Sequence, residues 1–384
     1  MKKNLLLLSF LAFPFGLLAQ DLPLPVKKEG LQIRFSKNIE VMGFTFFLGS
    51  YGQQLMDQPE ANNSAGVKNQ DWNAYAFAFY EKYFDFKTDP DLQKLTSIEE
   101  NTEGAAMISF LLLAEDFPNA TFPEDLPEKH LQAFAPGRSL KEARQIAQEF
   151  LDCGNRLYKH LNFENYFRDN KAFYDTAIAE LLGALPSDQA MEAVQAFYRK
   201  RFDAYVLMPS LTIPPGMGFG VNTTAKGKTT IYNVFGSRGV QQLSGNKALK
   251  MGFSDENMVR ELSTHEFGHS FTNPVLDKLP DALFRSSEKL FGPLRQAMSN
   301  QAYNTWKICL YEHFVRAAEV LIARRLGKTK NADILLNHYV KDRKFIYLPE
   351  LISILEHYEK DPKMSYATAA ETFLKQLALK AKQN

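Results

Sequence analysis

The segment His265-Glu266-Phe267-Gly268-His269 reads H-E-x-x-H. Residues four apart share one face of an α-helix, so two imidazoles at this spacing can grip a single metal ion. Zinc is the usual occupant of such a pair. Glu266, next to the first histidine, is placed to take a proton from a water that the metal activates. That combination is the core of a zinc metallopeptidase. Phe267 and Gly268 are uncharged and Phe271 follows, which suits a buried helix, because a charge there would be desolvated without a partner. The pattern predicts a helix capped by Ser254, with Asp255 and Glu256 at the positive end of its dipole. Met258, Val259 and Leu262 form its apolar side, and Thr272-Asn273-Pro274 ends it.

Catalytic zinc generally has three protein ligands and one position for water. The metzincin extension H-E-x-x-H-x-x-G-x-x-H fails, because Thr272 stands at the glycine position and Val275 at the third histidine. The third ligand is therefore expected on a separate element, as in gluzincins, where a downstream helix offers a glutamate. The stretch from about Tyr303 to Leu326 reads as that helix. Glu312, Arg316 and Glu319 fall at i, i+4 and i+7 on one face, flanked by Ile308, Val315, Ala323 and Leu326. Carboxylates on an apolar stripe need a partner, and a metal is one. Glu312 is the leading candidate ligand, the competing reading being an ion pair with Arg316. Glu319 is either the ligand itself or a hydrogen-bond partner behind a zinc-binding histidine. His313 points about 100° away from Glu312, and His338 and His357 have no spacing argument. For the chemistry, Glu266 is the general base. Arg316 and Tyr347 are the candidate donors to a tetrahedral oxyanion. Arg316 equally suits a substrate carboxylate, and Tyr347 equally suits core packing.

Around these residues the chain predicts a mostly helical α+β protein. Leu31–Phe35 alternates like a short strand, and 38–51 is an apolar helix with Gly52 near its end. Residues 56–71 read as an exposed loop, and 72–86 as an aromatic-rich helix. The four prolines in 117–136 make that segment irregular. From Ser139 to Phe202 the pattern is helical, with breaks near Asn162 and at Pro186-Ser187, and Ser187-Asp188 starts the last helix. Two strands follow, 204–213 and 229–235, joined by a Gly-rich connection and read as a hairpin. The second is read as a strand that could pair with an extended substrate or be purely structural. Everything after Ser254 is helical. The expected organisation is a leader at 1–19, a mostly helical lobe at 20–203, and a zincin-like catalytic lobe at 204–384 with its small sheet beside the motif helix.

Lys2-Lys3, the apolar run Leu5–Leu18 and Ala19 have the form of a cleavable signal peptide. The run is short for a spanning helix and is interrupted by Pro14 and Gly16. No cysteine lies near the cleavage site, so the expected location is periplasmic or secreted, without membrane insertion. Removing two lysines takes the formal charge from +1 to −1, which favours neither nucleic acid nor an anionic membrane as partner. Cys153 and Cys309 could form at most one bridge, and Cys309 sits in an apolar helical stretch where a buried thiol is the simpler expectation.

The blocks His265–Phe271 with Asn273-Pro274, Glu312-His313 with Arg316-Ala317, and Phe345–Leu351, together with Asn38-Ile39-Glu40 before an apolar helix, resemble the DUF4932 family. The resemblance covers most of the chain after the leader and implies an exported zinc hydrolase with a gluzincin-like peptidase site. It carries over His265 and His269 as ligands, Glu266 as base and Glu312 as third ligand. The leading functional expectation is thus a zinc peptidase acting on a peptide or protein. A zinc hydrolase of another amide and a non-catalytic binding or scaffold protein with a structural metal are the alternatives. Glu266 separates the enzymes from the scaffold, because a structural site has no use for that carboxylate.

Overall fold

A computed structural model describes residues 22–28, 30–62, 66–185, 190–244 and 248–383. The leader and the Ser187-Asp188 helix start lie outside the described residues, as do the side chains of Met258 and Leu262. The protein is mostly helical with one five-stranded mixed sheet. Its strands are β1 (Val26–Lys28), β2 (Leu31–Ile33), β3 (Ala204–Pro209), β4 (Gly218–Ala225) and β5 (Lys228–Phe235), in the order β1-β2-β3-β5-β4. The helices that matter for the site are α1 (Lys37–Phe46), α2 (Lys171–Ala184), α3 (Ala190–Tyr198), α4 (Glu256–Leu276), α5 (Trp306–Arg325), α6 (Thr329–Lys341), α7 (Leu348–Lys360) and α8 (Tyr366–Gln383). Among the described residues no helix is long and apolar enough to cross a membrane.

The sheet corrects the expected hairpin. β3 and β5 are parallel neighbours, with Ala204 opposite Thr230 and Pro209 opposite Phe235. The hairpin is instead β4–β5, closed by Lys226-Gly227 with φ of 50° and 75°, the primed turn that suits the twist of paired strands. The strand 229–235 is therefore interior, and β4 is the sheet edge. β4 interleaves Phe219 and Val221 with Gly218, Gly220 and Asn222, and glycine and asparagine are poor strand formers, so propensity does not mark it as it marks the β-branched and aromatic β5. β2 pairs in parallel with β3, so the sheet crosses the boundary expected at residue 203, and one connected apolar core runs through both halves.

The remaining elements follow local rules with adjustments. The apolar helix at 38–51 is α1 running into a π-helical stretch at Phe47–Tyr51. The proline-rich segment carries one short helix at Glu128–Gln132. In α4 the first intrahelical bond runs from the Val259 N–H to the Asp255 carbonyl, so Asp255, one residue after Ser254, holds the cap position. Pro274 does not end α4 but sits in its last turn, where only one intrahelical bond is lost and Asn273 still accepts from the Asp277 N–H. Cys153 and Cys309 are both free and buried.

Buried polar groups fix the frame that holds α4. Glu180 of α2 accepts the Met251 and Phe253 N–H groups at 2.9 and 2.8 Å, anchoring the approach to the motif helix. Gly252 between them has φ +83°, and a Cβ there would lie 2.5 Å from the Gly239 carbonyl oxygen. Glu40 of α1 is fully buried, bonded to the Tyr174 hydroxyl at 2.8 Å and to the Leu211 N–H at the end of β3. Burial outweighs these bonds and raises its carboxyl pKa from 4.5 to about 7.

The folded protein thus binds the Glu40 proton more tightly than the unfolded chain. The stability this contributes is complete below pH 4.5 and is lost as pH rises through about 7. The loss amounts to about 3 kcal/mol at ~1.4 kcal/mol per pH unit. Denaturant unfolding at pH 5 and pH 8 should show a drop in stability that is smaller by about that amount in Glu40→Gln. An equal drop in both proteins would assign the effect elsewhere, to Glu99 first, whose carboxyl burial raises to about 8.

Candidate metal centre

The site lies where α4 crosses α5, with β4 on the other side of α4. Two glycines permit these approaches. A Cβ at Gly268 would lie 3.1 Å from a Val315 methyl, so α4 and α5 meet with little between them. A Cβ at Gly220 of β4 would lie 2.2 Å from the Glu266 carbonyl oxygen, so the edge strand runs directly over the motif helix. α5 begins at Thr305, whose side chain accepts the Ile308 N–H, and its middle turns from Glu312 to Ile322 are buried throughout.

Across this junction His265, His269 and Glu312 converge as a group that could hold a metal ion. The two Nε2 atoms are 3.3 Å apart. The His265 Nε2 lies 3.6 Å from Glu312 Oε2, and the His269 Nε2 lies 3.3 Å from Glu312 Oε1. Ligands ~2.0–2.1 Å from a tetrahedral zinc stand about 3.3 Å from one another, so the triangle has the size of one face of such a site.

The outer nitrogens explain why the inner ones face inward. His265 Nδ1 is 2.8 Å from Glu319 Oε1, and His269 Nδ1 is 3.3 Å from Asn273 Oδ1. With each Nδ1–H donated outward, each Nε2 turns a lone pair toward the other and toward a carboxylate. Three acceptors around one point call for a cation. In its absence burial disfavours the charged His269, but Glu312 and Glu266 outweigh it and push its pKa up to about 9. Burial likewise opposes the Glu312 carboxylate. The two imidazoles and Arg316 prevail and hold its pKa well below the ordinary range.

Both readings of Glu312 hold together: it faces the histidines and accepts from Arg316 Nη2 at 3.1 Å. Glu319 stands behind His265 and is itself fixed by the Tyr339 hydroxyl at 2.5 Å. Arg316 is packed between the rings of Tyr339 and Phe345, at 4.8 and 4.9 Å from their centroids. His313 is fully buried, its Nδ1 2.7 Å from the Cys309 carbonyl, and burial lowers its pKa to about 4. His338 pairs with Asp342 at the surface, and His357 is exposed. The flanking Ile308 is 43% exposed, so the apolar stripe on α5 starts one turn later than expected.

Tyr347 is not brought to the site. Its ring packs against Trp306 and His313, and its hydroxyl is 3.4 Å from the Leu290 carbonyl. The cleft tyrosine is Tyr303. Its oxygen accepts from Arg316 Nη2 at 3.1 Å and from Arg343 Nη2 at 3.3 Å. With both acceptor positions used, its own O–H is left to donate. Burial raises its pKa and keeps that proton in place.

A cleft of about 320 Å³ opens over His265 and Glu266, walled by Gly216, Gly218, Arg238, Tyr303, Arg316, Glu319, Tyr339 and Arg343. A larger hollow of about 900 Å³ near Leu22, Arg34 and Glu115 lies away from the converging side chains, so the candidate site is the smaller cleft. Sequence reasoning missed Tyr303, Tyr339, Arg238 and Arg343, which stand on loops or on another helix with no fixed offset from the motif. Asn273 was detectable, four residues after His269 on the same face.

The fold and site define a helical α+β protein with a two-histidine, one-glutamate site open to a cleft. The family model described as a domain of unknown function, DUF4932, matches residues 31–375, and the chain belongs to that family. No curated protein and no solved structure matches it.

Removing Glu312 should abolish tight divalent-metal binding, whereas Glu319→Gln should keep the ligand set and weaken affinity by roughly 10–100-fold. Competition titration with a chromogenic chelator measures both. Loss of metal in Glu319→Gln with retention in Glu312→Ala would reverse the two roles.

Proposed function

We propose that this protein is a zinc-dependent peptidase of the gluzincin type, with a zincin-like lobe made of the chain from residue 204 onward together with the β1–β2 part of the shared sheet, and exported by its leader. The observation that carries this reading is the convergence of His265, His269 and Glu312 beside Glu266 in an open cleft. Nitrogen and carboxylate donors at these spacings suit zinc. Bound there, zinc would supply Lewis-acid activation of a water and of the substrate carbonyl.

The chain's own groups do the rest. Glu266 takes the proton of the attacking water and returns it to the leaving amine. Tyr303, with its O–H free to donate, replaces Tyr347 as the donor to the developing oxyanion. Arg316 is occupied by Glu312 and acts by fixing that ligand and Tyr303. β4, the sheet edge above Glu266, takes over from strand 229–235 as the element that pairs with an extended peptide backbone. The carboxylate of Glu266 and the cleft above it both favour catalysis over a structural metal.

Metal analysis should find one zinc per chain. Glu266→Gln should keep that zinc while turnover on a mixed peptide library falls by roughly 10²–10⁴-fold. A protein that binds no zinc, or equal turnover in the variant, would overturn the reading. Tyr303→Phe should lower kcat by roughly 10²–10³-fold with little change in KM. An unchanged kcat would remove Tyr303 from the mechanism.

A further inference from the structure

Two arginines on the cleft wall have no part in holding the metal ligands. Arg316 is paired with Glu312, but among the described residues Arg238 and Arg343 have no acid at ion-pair distance, with no carboxylate within 4.0 Å of either guanidinium. The Arg238 Nε is shielded from solvent without a hydrogen-bond partner. Arg343 is held by neutral groups only: its Nε donates to Gln301 Oε1 at 2.7 Å, and its Nη2 to the Tyr303 hydroxyl at 3.3 Å. Those bonds aim the guanidinium without neutralising it. Burial and the nearby charge of Arg343 hold the Arg238 pKa below its usual value, while Glu266 opposes them. Arg238 is half-buried with its Nε shielded, so an anion entering the cleft would supply a partner that this donor lacks in the free protein.

The charge balance points the same way. The side chains Arg238, Arg316 and Arg343 balance Glu266, Glu312 and Glu319, so a divalent cation held there would leave the cleft with a net charge of +2. Glu312 and Glu319 are engaged by histidines, Arg316 and Tyr339, which leaves Glu266, among the described residues, as the one cleft acid facing the two cations Arg238 and Arg343. A guanidinium fork is shaped for two-point contact with a carboxylate. A cleft of about 320 Å³ admits the end of a peptide or one side chain beside the reacting bond.

We propose that Arg238, with Arg343 beside it, binds a carboxylate carried by the substrate next to the bond at the metal. This rests on the peptidase reading and narrows it to peptides with a negative charge at that point. The charge comes from a free C-terminus, which makes the enzyme a carboxypeptidase, or from an Asp or Glu side chain.

The test is calorimetric titration of zinc-loaded Glu266→Gln protein with three peptides: acetyl-trialanine free acid, its C-terminal amide, and the amide with the last residue changed to Asp. At least one carboxylate peptide should bind roughly 10–100-fold tighter than the neutral amide. The advantage should shrink as salt rises. Whichever peptide gains identifies the source of the charge. In the same background Arg238→Gln should bring the difference below about threefold, and Arg343→Gln should reduce it in part. Equal affinity for all three peptides, or no binding of any, overturns the proposal without needing either arginine variant to fold. Failure of the peptidase reading is a separate result, seen as absent zinc or as undiminished turnover in Glu266→Gln.

Discussion

The site depends on the distance at which α4 and α5 cross. Gly268 faces Val315 with 3.1 Å between a would-be Cβ and the nearest methyl. Even a methyl at 268 would be in tighter than ordinary contact and would require its neighbour to give by a few tenths of an ångström, and longer side chains would need more. The same crossing places His265 and His269, one turn apart on α4, opposite Glu312 and Glu319, two turns apart on α5. One helix pair therefore supplies the inner ligands and, for His265, the carboxylate behind the ring. Tyr198 of α3 closes against Gly268 from the other side, which links the spacing to the helical half of the chain.

Charge is organised outward from that crossing in alternating layers. The acceptor atoms of His265, His269 and Glu312 surround one point. Glu319 and Asn273 fix the imidazoles, Arg316 offsets Glu312, and Tyr339 and Tyr303 fix Glu319 and Arg316. Each group has its partner within the network, which is what permits so many buried polar side chains on one helix face. Arg238 and Arg343 stand outside this alternation, and they stand on the cleft wall.

What could be read from the sequence follows from locality. His265, Glu266, His269 and the Glu312–Arg316–Glu319 face were legible because helical periodicity fixes their geometry within one element. The failed metzincin pattern sent the expected third ligand to another helix, and Glu312 of α5 converges on the two histidines. The edge strand was misplaced because β4 contains Gly218, Gly220, Asn222 and Thr223, whose suitability comes from what they pack against. Gly220 is there for the backbone of Glu266. Tyr347 was drawn toward the site by its neighbours in sequence, yet α7 begins there and turns the ring into the core. Tyr303 precedes the cap of α5, and Arg238 follows β5 in an irregular segment. Their positions are set by tertiary packing, and no spacing rule reaches them.

A structural metal and a catalytic one place different demands on a fold. A structural zinc commonly has four protein ligands and supplies folding energy that a small domain lacks. Here α4 and α5 are held without it: Phe267, Phe271, Phe314 and Val315 are buried in a core that spans the whole described chain. The three candidate ligands would fill one face of a tetrahedral site, and the histidines stay about 15% exposed. A group of candidate ligands set in a self-sufficient core and facing a cleft fits the proposed catalytic role better than a structural one. Glu266 is the residue that makes this specific. It is buried beside the candidate ligands and lines the cleft, where its charge also faces Arg238.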